Sequence, residues 1–416
     1  MKCNMSVLQN ARLLLGVTGG VAAYKAVDLA SKLTQLGALV DVILTEKASE
    51  FVTPLTFNAV TQRPVWRDLW EPAGAAAANH IELGHAARMI AIVPATANTI
   101  AKLAHGFADD MLTTTALAST APLLVAPAME SNMYAHPATV ANIETLRRRG
   151  AFILEPEIGR LASGMVGPGR LPETSALLGA IRYILGLNGV FAGKKFIITA
   201  GGTQEPIDPV RFISNRSSGR QGFALAEAAR DRGAAVTLIT APVELATPYG
   251  IERIDVQTAA EMANAVLTAS AGADVIIMSA AVADFTPIAP AENKIKKTAG
   301  RQNGELVLQL RSTDDILSKL QEHAEDFPQL KRIGFAAETT DPLGYGIDKL
   351  KRKGLDMIVI NDITLPGSGF GSPTNKVWIA KASGEVTEYE RMPKENVAVI
   401  IMEEIENILE HTPDEV

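Results

Sequence analysis

Short apolar runs rich in β-branched residues alternate along this chain with longer Ala-rich segments of helical period. This alternation predicts βαβ units, and hence a largely parallel sheet covered by helices on both faces. In the first half, the pattern predicts the strands Arg12–Val17, Leu39–Leu44, Met89–Val93, Leu123–Ala126 and Ala151–Leu154, and a helix over Val21–Leu36.

The same pattern restarts near residue 190. A helix predicted to end near Leu185 is followed by Gly-Leu-Asn-Gly at 186–189, which interrupts the periodicity. Because 416 residues exceed what one hydrophobic core usually organises, we expect two doubly wound, Rossmann-like α/β domains, 1–190 and 191–416. In this class, ligands bind beyond the carboxyl ends of the strands. The second half is predicted to contain the strands Lys195–Thr199, Ala234–Thr240, Val275–Ser279, Arg332–Ala336 and Met357–Ile360, and a last helix from about Lys394 to Leu409.

Composition and charge argue against a nucleic acid or a membrane as the partner of this protein. The formal net charge of −7 argues against a nucleic-acid-binding surface, although it leaves room for one basic pocket. No stretch reaches the roughly 20 apolar residues of a membrane span, and the N-terminus shows no secretion signal. Cys3 is the only cysteine, so neither an intrachain disulfide nor a Cys-rich metal site is possible. We therefore expect a soluble cytoplasmic protein that acts on small molecules.

A glycine-containing turn follows the first predicted strand, with Gly19 and Gly20 just before the first helix. Backbone N–H groups at such a helix start can hold a phosphate, and Thr45 at the end of the next strand could add a hydroxyl. The turn lacks the GxGxxG spacing, so on its own it is more often a tight turn without a ligand. Residues 94–99 (PATANT) and 127–134 (PAMESNMY) follow two further strands, and their small and polar side chains suit a planar cofactor.

With these two motifs, residues 10–175 resemble the flavoprotein cysteine decarboxylases, in particular the phosphopantothenoylcysteine decarboxylase family. The resemblance implies a flavodoxin-like domain that binds FMN between the subunits of a trimer. It also implies that His80 is catalytic and assists oxidation of a substrate thiol, after which the adjacent carboxylate leaves as carbon dioxide. No family motif flanks His85 or His105, and we interpret both as structural. The residues that would line the FMN site are Gly19, Gly20, Thr45, Thr96, Ala97, Asn98 and Thr99.

Two positions depart from this family. Glu130 replaces the asparagine that holds the substrate carboxylate, and an ionised Glu would repel that carboxylate unless burial kept it protonated. Ser163 replaces the cysteine that donates a proton, and an alcohol is a far weaker acid than a thiol of pKa near ~8.5. Our hypothesis is that this half still decarboxylates, with a proton from water or a side chain near Ser163. The competing hypothesis is a flavin-loaded half with impaired turnover.

The second half contains a long predicted loop over 201–219 (GGTQEPIDPVRFISNRSSG) between a strand and a helix. Ser217 and Ser218 are candidate N-caps of that helix, whose N-terminus would attract phosphate. Further motifs are 280–285 (AAVADF), 293–297 (NKIKK) and 334–339 (GFAAET), followed by Lys349 and Lys353 on one helix face. Taken singly, these lysines could be solvated surface, but together in an acidic protein they suit a triphosphate.

These motifs make residues 193 to about 405 resemble phosphopantothenate–cysteine ligases, and the order decarboxylase-then-ligase is that of the bacterial bifunctional proteins. The resemblance implies that CTP, with Mg²⁺, activates 4-phosphopantothenate as an acyl-cytidylate and that L-cysteine then displaces CMP; no metal ligands are identified. It implies that Asn215 contacts the acyl-cytidylate, Arg211 orders the loop and Lys294 assists conversion of the intermediate. The implied nucleotide-binding residues are Ala280, Ala281, Asp284, Lys294, Phe335, Lys349 and Lys353.

A dimer is implied for this half, so the whole chain is expected to form a larger homo-oligomer. The alternatives are a ligase with an impaired flavin half, a different flavin-dependent oxidoreductase, and a nucleotide-binding scaffold without turnover. A yellow protein without CTP-dependent pyrophosphate release would favour the oxidoreductase, and absence of both signals would favour the scaffold.

Overall fold

A computed structural model of the chain describes residues 6–69, 79–296, 306–338, 341–362 and 371–410. The chain divides into two compact units, Met1–Gly186 and Leu187–Val416. Lys297 and Thr339, each the last residue of a motif above, lie outside the described residues.

The first unit contains a six-stranded parallel sheet and a separate two-stranded hairpin. Its strands are β1 (Arg12–Val17), β2 (Leu39–Leu44), β3 (Val65–Trp66), β4 (Met89–Ala95), β5 (Leu123–Pro127), β6 (Phe152–Ile153), β7 (Glu157–Arg160) and β8 (Val166–Arg170). Its α-helices are α1 (Ala23–Gln35), α2 (Pro54–Thr61), α3 (Asn79–Ala86), α4 (Ala97–His105), α5 (Met111–Leu117), α6 (Ser131–Ala135), α7 (Pro137–Arg148) and α8 (Thr174–Gly186), and Glu46–Glu50 forms a 3₁₀ turn.

The strand order of the first sheet is β3-β2-β1-β4-β5-β6. Without the two-residue edge strand β3, this is the flavodoxin order 2-1-3-4-5. All seven residues of β4 are buried, as expected for a central parallel strand covered on both faces. The order reverses between β1 and β4, where Gly16 pairs with Ile92, so a ligand is expected at the carboxyl ends of these two strands.

The second unit contains an eight-stranded sheet and two small hairpins. Its strands are β9 (Lys195–Ala200), β10 (Gln204–Asp208), β11 (Arg211–Ser214), β12 (Ala235–Thr240), β13 (Glu252–Asp255), β14 (Val275–Met278), β15 (Phe285–Pro287), β16 (Leu310–Ser312), β17 (Lys331–Glu338), β18 (Met357–Asp362), β19 (Thr374–Lys381) and β20 (Val386–Pro393). Its helices are α9 (Arg220–Arg230), α10 (Ala259–Ser270), α11 (Ile316–Glu322), α12 (Pro342–Arg352) and α13 (Lys394–Glu410).

The large sheet has the order β13-β12-β9-β14-β17-β18-β19-β20. The strands from β13 to β18 pair in parallel, whereas β18–β19 and β19–β20 are antiparallel. The doubly wound α/β architecture predicted for both halves is confirmed, and the antiparallel edge is an addition to it. Here the order reverses between β9 and β14, so a ligand of this unit is expected at the carboxyl ends of these two strands.

Two local predictions in the second unit are wrong. The predicted loop over 201–219 contains the antiparallel hairpin β10–β11, in which Glu205 pairs with Ile213. The N-cap of α9 is Gly219, at φ 73°, and no side chain caps it. Ser217 Oγ accepts from Gly219 N at 3.4 Å instead, because a residue in the left-handed region intervenes between the serines and the helix. No helix within the described ranges is long and apolar enough to cross a membrane.

Candidate functional sites

The carboxyl ends of β1 and β4 are tied together by Thr18. Its buried hydroxyl donates to Pro94 O at 2.7 Å and accepts from Thr96 N at 3.0 Å. The glycine turn and the PATANT motif, which the sequence suggested separately, therefore meet at one edge of the sheet.

Gly19 and Gly20 differ in their surroundings. A Cβ atom on Gly19 would lie 2.6 Å from Lys47 Cβ and 2.8 Å from the Lys47 carbonyl carbon, so only glycine fits between β1 and the loop after β2. A Cβ on Gly20 would meet nothing nearer than Thr96 Cγ2 at 4.0 Å. No side chain caps the N-terminus of α1. Ala23 N already donates to Gly20 O at 2.9 Å, so a phosphate would have to use the amides that precede it. These observations fit a phosphorylated planar cofactor such as FMN.

The hydroxyls predicted to line this site already serve as helix caps. Thr45 accepts from Ala48 N at 3.3 Å, and Thr96 accepts from Thr99 N at 3.4 Å. Thr96 Oγ1 also lies 3.2 Å from Thr99 Oγ1. Beside them, Ala97 is the first residue of α4.

An amide side chain projects from the same helix start. Asn98 is exposed, and its side chain has no hydrogen-bond partner in the part of the chain that the structure describes. Asn98 is therefore the PATANT side chain most available to a ligand.

His80 lies in the first turn of α3 and is half-buried. Helix α3 packs through the buried Leu83, and Gly84 O accepts from Ser119 Oγ at 2.6 Å. Because α3 connects two parallel strands, β3 and β4, its first turn lies at the carboxyl edge of the sheet. The structure thus places His80 at the same edge as the glycine turn.

The other two histidines of the sequence analysis lie away from helix starts. His85 is exposed near the end of α3. His105 is the last residue of α4, and its Nε2 lies 3.1 Å from Asn142 Oδ1. That contact fits the structural interpretation of His105.

Glu130 is the N-cap of the short helix α6. Its carboxylate accepts from Asn132 N at 2.8 Å and from Met133 N at 3.3 Å. The residue is half-buried, so the burial considered in the sequence analysis is not complete. The carboxylate lies at a helix N-terminus, where a negative charge is favourable.

Ser163 lies in the turn of the β7–β8 hairpin. It is exposed, and none of the described residues accepts or donates a hydrogen bond to its hydroxyl. The base of the hairpin is anchored beside Glu130, since Met129 N donates to Gly169 O at 3.1 Å and Ser131 Oγ donates to Pro168 O at 2.8 Å. Glu130 and Ser163, the two positions that depart from the family, therefore lie on segments that contact each other.

In the second unit, the switch between β9 and β14 is joined by backbone contacts. Ala281 N donates to Gly201 O at 2.8 Å, and Ala280 N donates to Thr199 Oγ1 at 3.1 Å. Asn215 Nδ2 donates to Val282 O at 3.1 Å. The backbone of Ala280 and Ala281 was predicted to hold a nucleotide. Both of their N–H groups donate within the protein, so a nucleotide contact there would use a carbonyl group.

A cavity of about 690 Å³ opens at this switch point. It contains three acidic side chains, Asp284, Asp314 and Asp315, and two basic ones that sequence reasoning missed, Arg220 and Lys394. The predicted residues that line it are Asn215, Ala280, Ala281, Asp284, Phe335 and Lys349.

The two predicted triphosphate lysines have different surroundings. Lys349 lines the cavity and donates to Phe335 O at 2.8 Å. Lys353 ends α12 as its C-cap, pairs with Asp315 Oδ2 at 2.6 Å and donates to Ser318 Oγ at 2.7 Å. It is not among the described residues that line the cavity. Without a ligand, its ammonium pairs with a carboxylate of the protein, and the assignment of Lys353 to a triphosphate stays a prediction.

The ion pair with Lys353 affects the pKa of Asp315. Burial alone would raise the pKa of Asp315, but the hydrogen bond from Lys353, helped by Ser318 N, holds it below the ordinary value. Asp315 is therefore a carboxylate at the cavity wall whose charge is locally balanced.

Arg211 and Lys294 lie on a neighbouring hairpin and loop, apart from the described cavity lining. Asp208 Oδ2 accepts from Ile295 N at 3.1 Å, while Arg211 Nη2 donates to Ile295 O at 3.1 Å. Burial alone would raise the pKa of Asp208, but the amides of Val210, Ile295 and Arg211 lower it overall. Ile295 is thus held at both of its backbone polar groups, which positions the adjacent Lys294.

Within the described ranges, no three His, Cys, Asp or Glu side chains cluster in a way that could hold a metal ion.

Comparison with known proteins covers both halves. Residues 3–186 match the family described as Flavoprotein, and residues 191–409 match the family described as DNA/pantothenate metabolism flavoprotein C-terminal domain. The Coenzyme A biosynthesis bifunctional protein CoaBC of Bacillus subtilis is 46% identical over 409 residues, which is 98% of this chain and 99% of that protein. The protein of the same name from Vibrio cholerae is 44% identical over 381 residues, 92% of this chain and 94% of that protein.

Among solved structures, a crystal structure of the C-terminal domain of a CoaBC protein is 38% identical to this chain. The match covers 52% of this chain and 96% of the chain in that structure, with a TM-score of 0.44.

Proposed function

This chain belongs to the family of the coenzyme A biosynthesis bifunctional protein CoaBC, and from that membership we propose that it catalyses two successive reactions. The second unit ligates L-cysteine to 4-phosphopantothenate through an acyl-cytidylate formed from CTP. The first unit, with FMN, then decarboxylates phosphopantothenoylcysteine to phosphopantetheine. The proposal is supported by relatives that match nearly the whole chain and by a candidate site at the switch point of each sheet.

The observation that carries the ligase proposal is the cavity between β9 and β14. Asp284 is exposed within it and has no hydrogen-bond partner for its carboxylate among the described residues, so it can accept from amino or hydroxyl groups of a nucleoside. Phe335 offers an apolar surface to a base. Asn215 uses its amide NH₂ inside the protein, which leaves its carbonyl oxygen for the acyl-nucleotide.

Mg²⁺ would enter this cavity with the triphosphate, as part of the substrate. The catalytic requirement is neutralisation of negative oxygens while the carboxylate of 4-phosphopantothenate attacks the α-phosphorus and pyrophosphate leaves. Cysteine nitrogen then attacks the acyl carbon and CMP leaves. Lys294, positioned through Ile295, would assist this second conversion.

In the first unit, FMN would supply the oxidising chemistry when bound. The amides of residues 19–22, just before α1, would hold its phosphate, and Asn98 would face its polar edge. His80 would accept and return a proton at the substrate thiol, a role that suits an imidazole near neutral pH. The β7–β8 hairpin would cover the substrate and limit access of water.

The test is a single incubation of the chain with 4-phosphopantothenate, cysteine, CTP and Mg²⁺, followed by mass analysis of the products. We expect pyrophosphate, CMP and phosphopantetheine. Asn215→Ala and Lys294→Gln should sharply reduce ligation while the far-UV circular dichroism stays unchanged. Wild-type ligation by both variants would refute the roles given to these residues, and absence of CTP-dependent pyrophosphate release would refute the ligase.

A second candidate is a ligase whose flavin half is loaded but impaired. The observation that favours it is the exposed Ser163, an alcohol without an activating partner among the described residues. Supplying phosphopantothenoylcysteine directly to the full chain separates the two candidates. If only the Ser163→Cys variant forms phosphopantetheine, the impaired reading is correct; if the wild type forms it as well, the bifunctional proposal stands.

We also propose that copies of the chain associate through both units, as trimers of the flavin unit and dimers of the ligase unit. Large apolar side chains on the β7–β8 hairpin support association of the first unit, since Ile158 is 77% and Val166 is 73% exposed. Mass measurement in solution tests the assembly: a monomer at micromolar concentration would contradict it.

A further inference from the structure

Lys394 is the first residue of α13 and has surroundings unlike those of the other lysines at the ligase cavity. It lines the cavity but is only 7% exposed. Its backbone is well tied, because Lys394 N donates to Pro373 O at 3.1 Å and Gln221 Nε2 donates to Lys394 O at 3.3 Å. Its ammonium group, in contrast, has no hydrogen bond or ion pair with any described residue.

Such an ammonium group is costly to the folded protein. Burial lowers the pKa of Lys394, the charge of Arg220 lowers it further, and Glu395 opposes the shift only in part. A buried cation without a partner normally persists only where an anion joins it. Lys349 and Lys353, by comparison, donate to a carbonyl and to a carboxylate of the protein.

A second positive charge, that of Arg220, acts on Lys394. Arg220 is the first residue of α9, lines the same cavity, and forms no ion pair with the described residues. Helix α9 has eleven residues, and no side chain caps its N-terminus at Gly219. The positive end of the helix dipole therefore opens onto the cavity beside two cations.

We propose that Lys394, together with Arg220 at the N-terminus of α9, binds a phosphate group of a ligase substrate. The inference rests on the proposed ligase function and deepens it, because it assigns the phosphate subsite to the part of the cavity lining that Arg220 and Lys394 form. The chemistry recognised is that of phosphate oxygens, and two substrates could supply them: the triphosphate of CTP and the 4-phosphate of phosphopantothenate.

The experiment measures binding to the full chain by calorimetry, with separate titrations of Mg²⁺–CTP, cytidine and 4-phosphopantothenate. The variants are Lys394→Met, which keeps the length of the side chain, Lys394→Arg, which keeps its charge, and Lys351→Met as the control on an exposed surface of the same unit. We expect Lys394→Met to weaken one phosphorylated ligand by about 10- to 100-fold, the range of a charge-assisted hydrogen bond. Cytidine binding should be unchanged, Lys394→Arg should recover most of the affinity, and the control should bind like the wild type.

Weaker binding of CTP alone assigns the subsite to the triphosphate, and weaker binding of 4-phosphopantothenate alone assigns it to that substrate. Because Lys394→Met removes an unpartnered buried charge, its thermal unfolding temperature should equal or exceed that of the wild type, which separates lost binding from lost folding. Wild-type affinities in Lys394→Met for both phosphorylated ligands would overturn this inference alone. A wild-type chain that binds neither ligand would overturn the proposed function and this inference with it.

Discussion

Substitution of Gly19 by alanine tests whether the loop after β2 determines the shape of the flavin site. The added Cβ would lie 2.6 Å from Lys47 Cβ, 2.8 Å from Lys47 C and 2.9 Å from Lys47 O. Carbon atoms in van der Waals contact are about 3.5–4.0 Å apart, so the loop must retreat by about 1 Å. Two of the three opposing atoms belong to the backbone, and rotation of a side chain cannot relieve the contact.

Overpacking of this kind typically costs about 1–3 kcal/mol, and we expect a loss of about 2 kcal/mol in the unfolding free energy of the first unit. The displaced loop also carries Thr45, so bound flavin should be lost at lower denaturant concentration. The assay is urea unfolding of the flavin-stripped and flavin-loaded chain, followed by circular dichroism and by release of flavin fluorescence.

The matched control is Gly20→Ala, whose Cβ would meet nothing nearer than 4.0 Å. The flavin-stripped control should unfold within about 0.5 kcal/mol of the wild type, as surface substitutions commonly do. If flavin-stripped Gly19→Ala and Gly20→Ala are equally stable, the close approach of Lys47 does not constrain this turn and the reasoning is refuted.

Three further outcomes are expected. Asp208→Asn weakens the hold on Ile295 and should lower ligase turnover at least tenfold without changing flavin content; unchanged turnover would show that the loop needs no such support. Asp41→Ala leaves two arginines without the buried carboxylate that they share at 2.6 and 2.7 Å, and should cost about 3 kcal/mol in urea unfolding of the first unit; a loss below about 1 kcal/mol would contradict this. Because the pKa of Lys394 is lowered, affinity for its phosphate ligand should fall as pH rises through that pKa. In the ligand-free protein, the unfolding free energy should rise with pH between the lowered pKa and the ordinary lysine pKa, because the unfolded chain binds more protons in that range. A wild-type affinity that does not change with pH, as expected of Lys394→Arg, would argue against the assignment.

The central strands were predictable because burial on both faces requires continuous apolar runs. Strands β1 and β2 have the predicted bounds, and β9, β14 and β18 begin at the predicted residues. Strand ends were less certain, since β4 extends to Ala95, two residues into the PATANT motif. The glycine turn and that motif could be recognised from composition, but only the Thr18 hydrogen bonds show that they meet.

The small hairpins could not be predicted from periodicity. Strands β7, β8, β10 and β11 are short and partly exposed, and both faces mix polar with apolar residues. Neither the period of a helix nor that of a half-buried strand dominates such a segment. Yet these hairpins carry or position Ser163 and Lys294, so the least patterned parts of the sequence determine where two candidate catalytic residues lie.

The lysines of the ligase unit show why a motif does not determine an electrostatic site. Lys349 and Lys353 attracted attention because they recur at helical spacing, whereas Lys394 follows a proline at the start of the last helix and belongs to no motif. Whether an ammonium group can bind a ligand depends on what else it contacts, and those partners come from distant parts of the chain. Asp315, the N-cap of α11, pairs with Lys353, but no described carboxylate pairs with Lys394. The availability of a cation is therefore a property of the packed fold, and a buried lysine without a partner is stronger evidence for an anion site than a row of lysines in sequence.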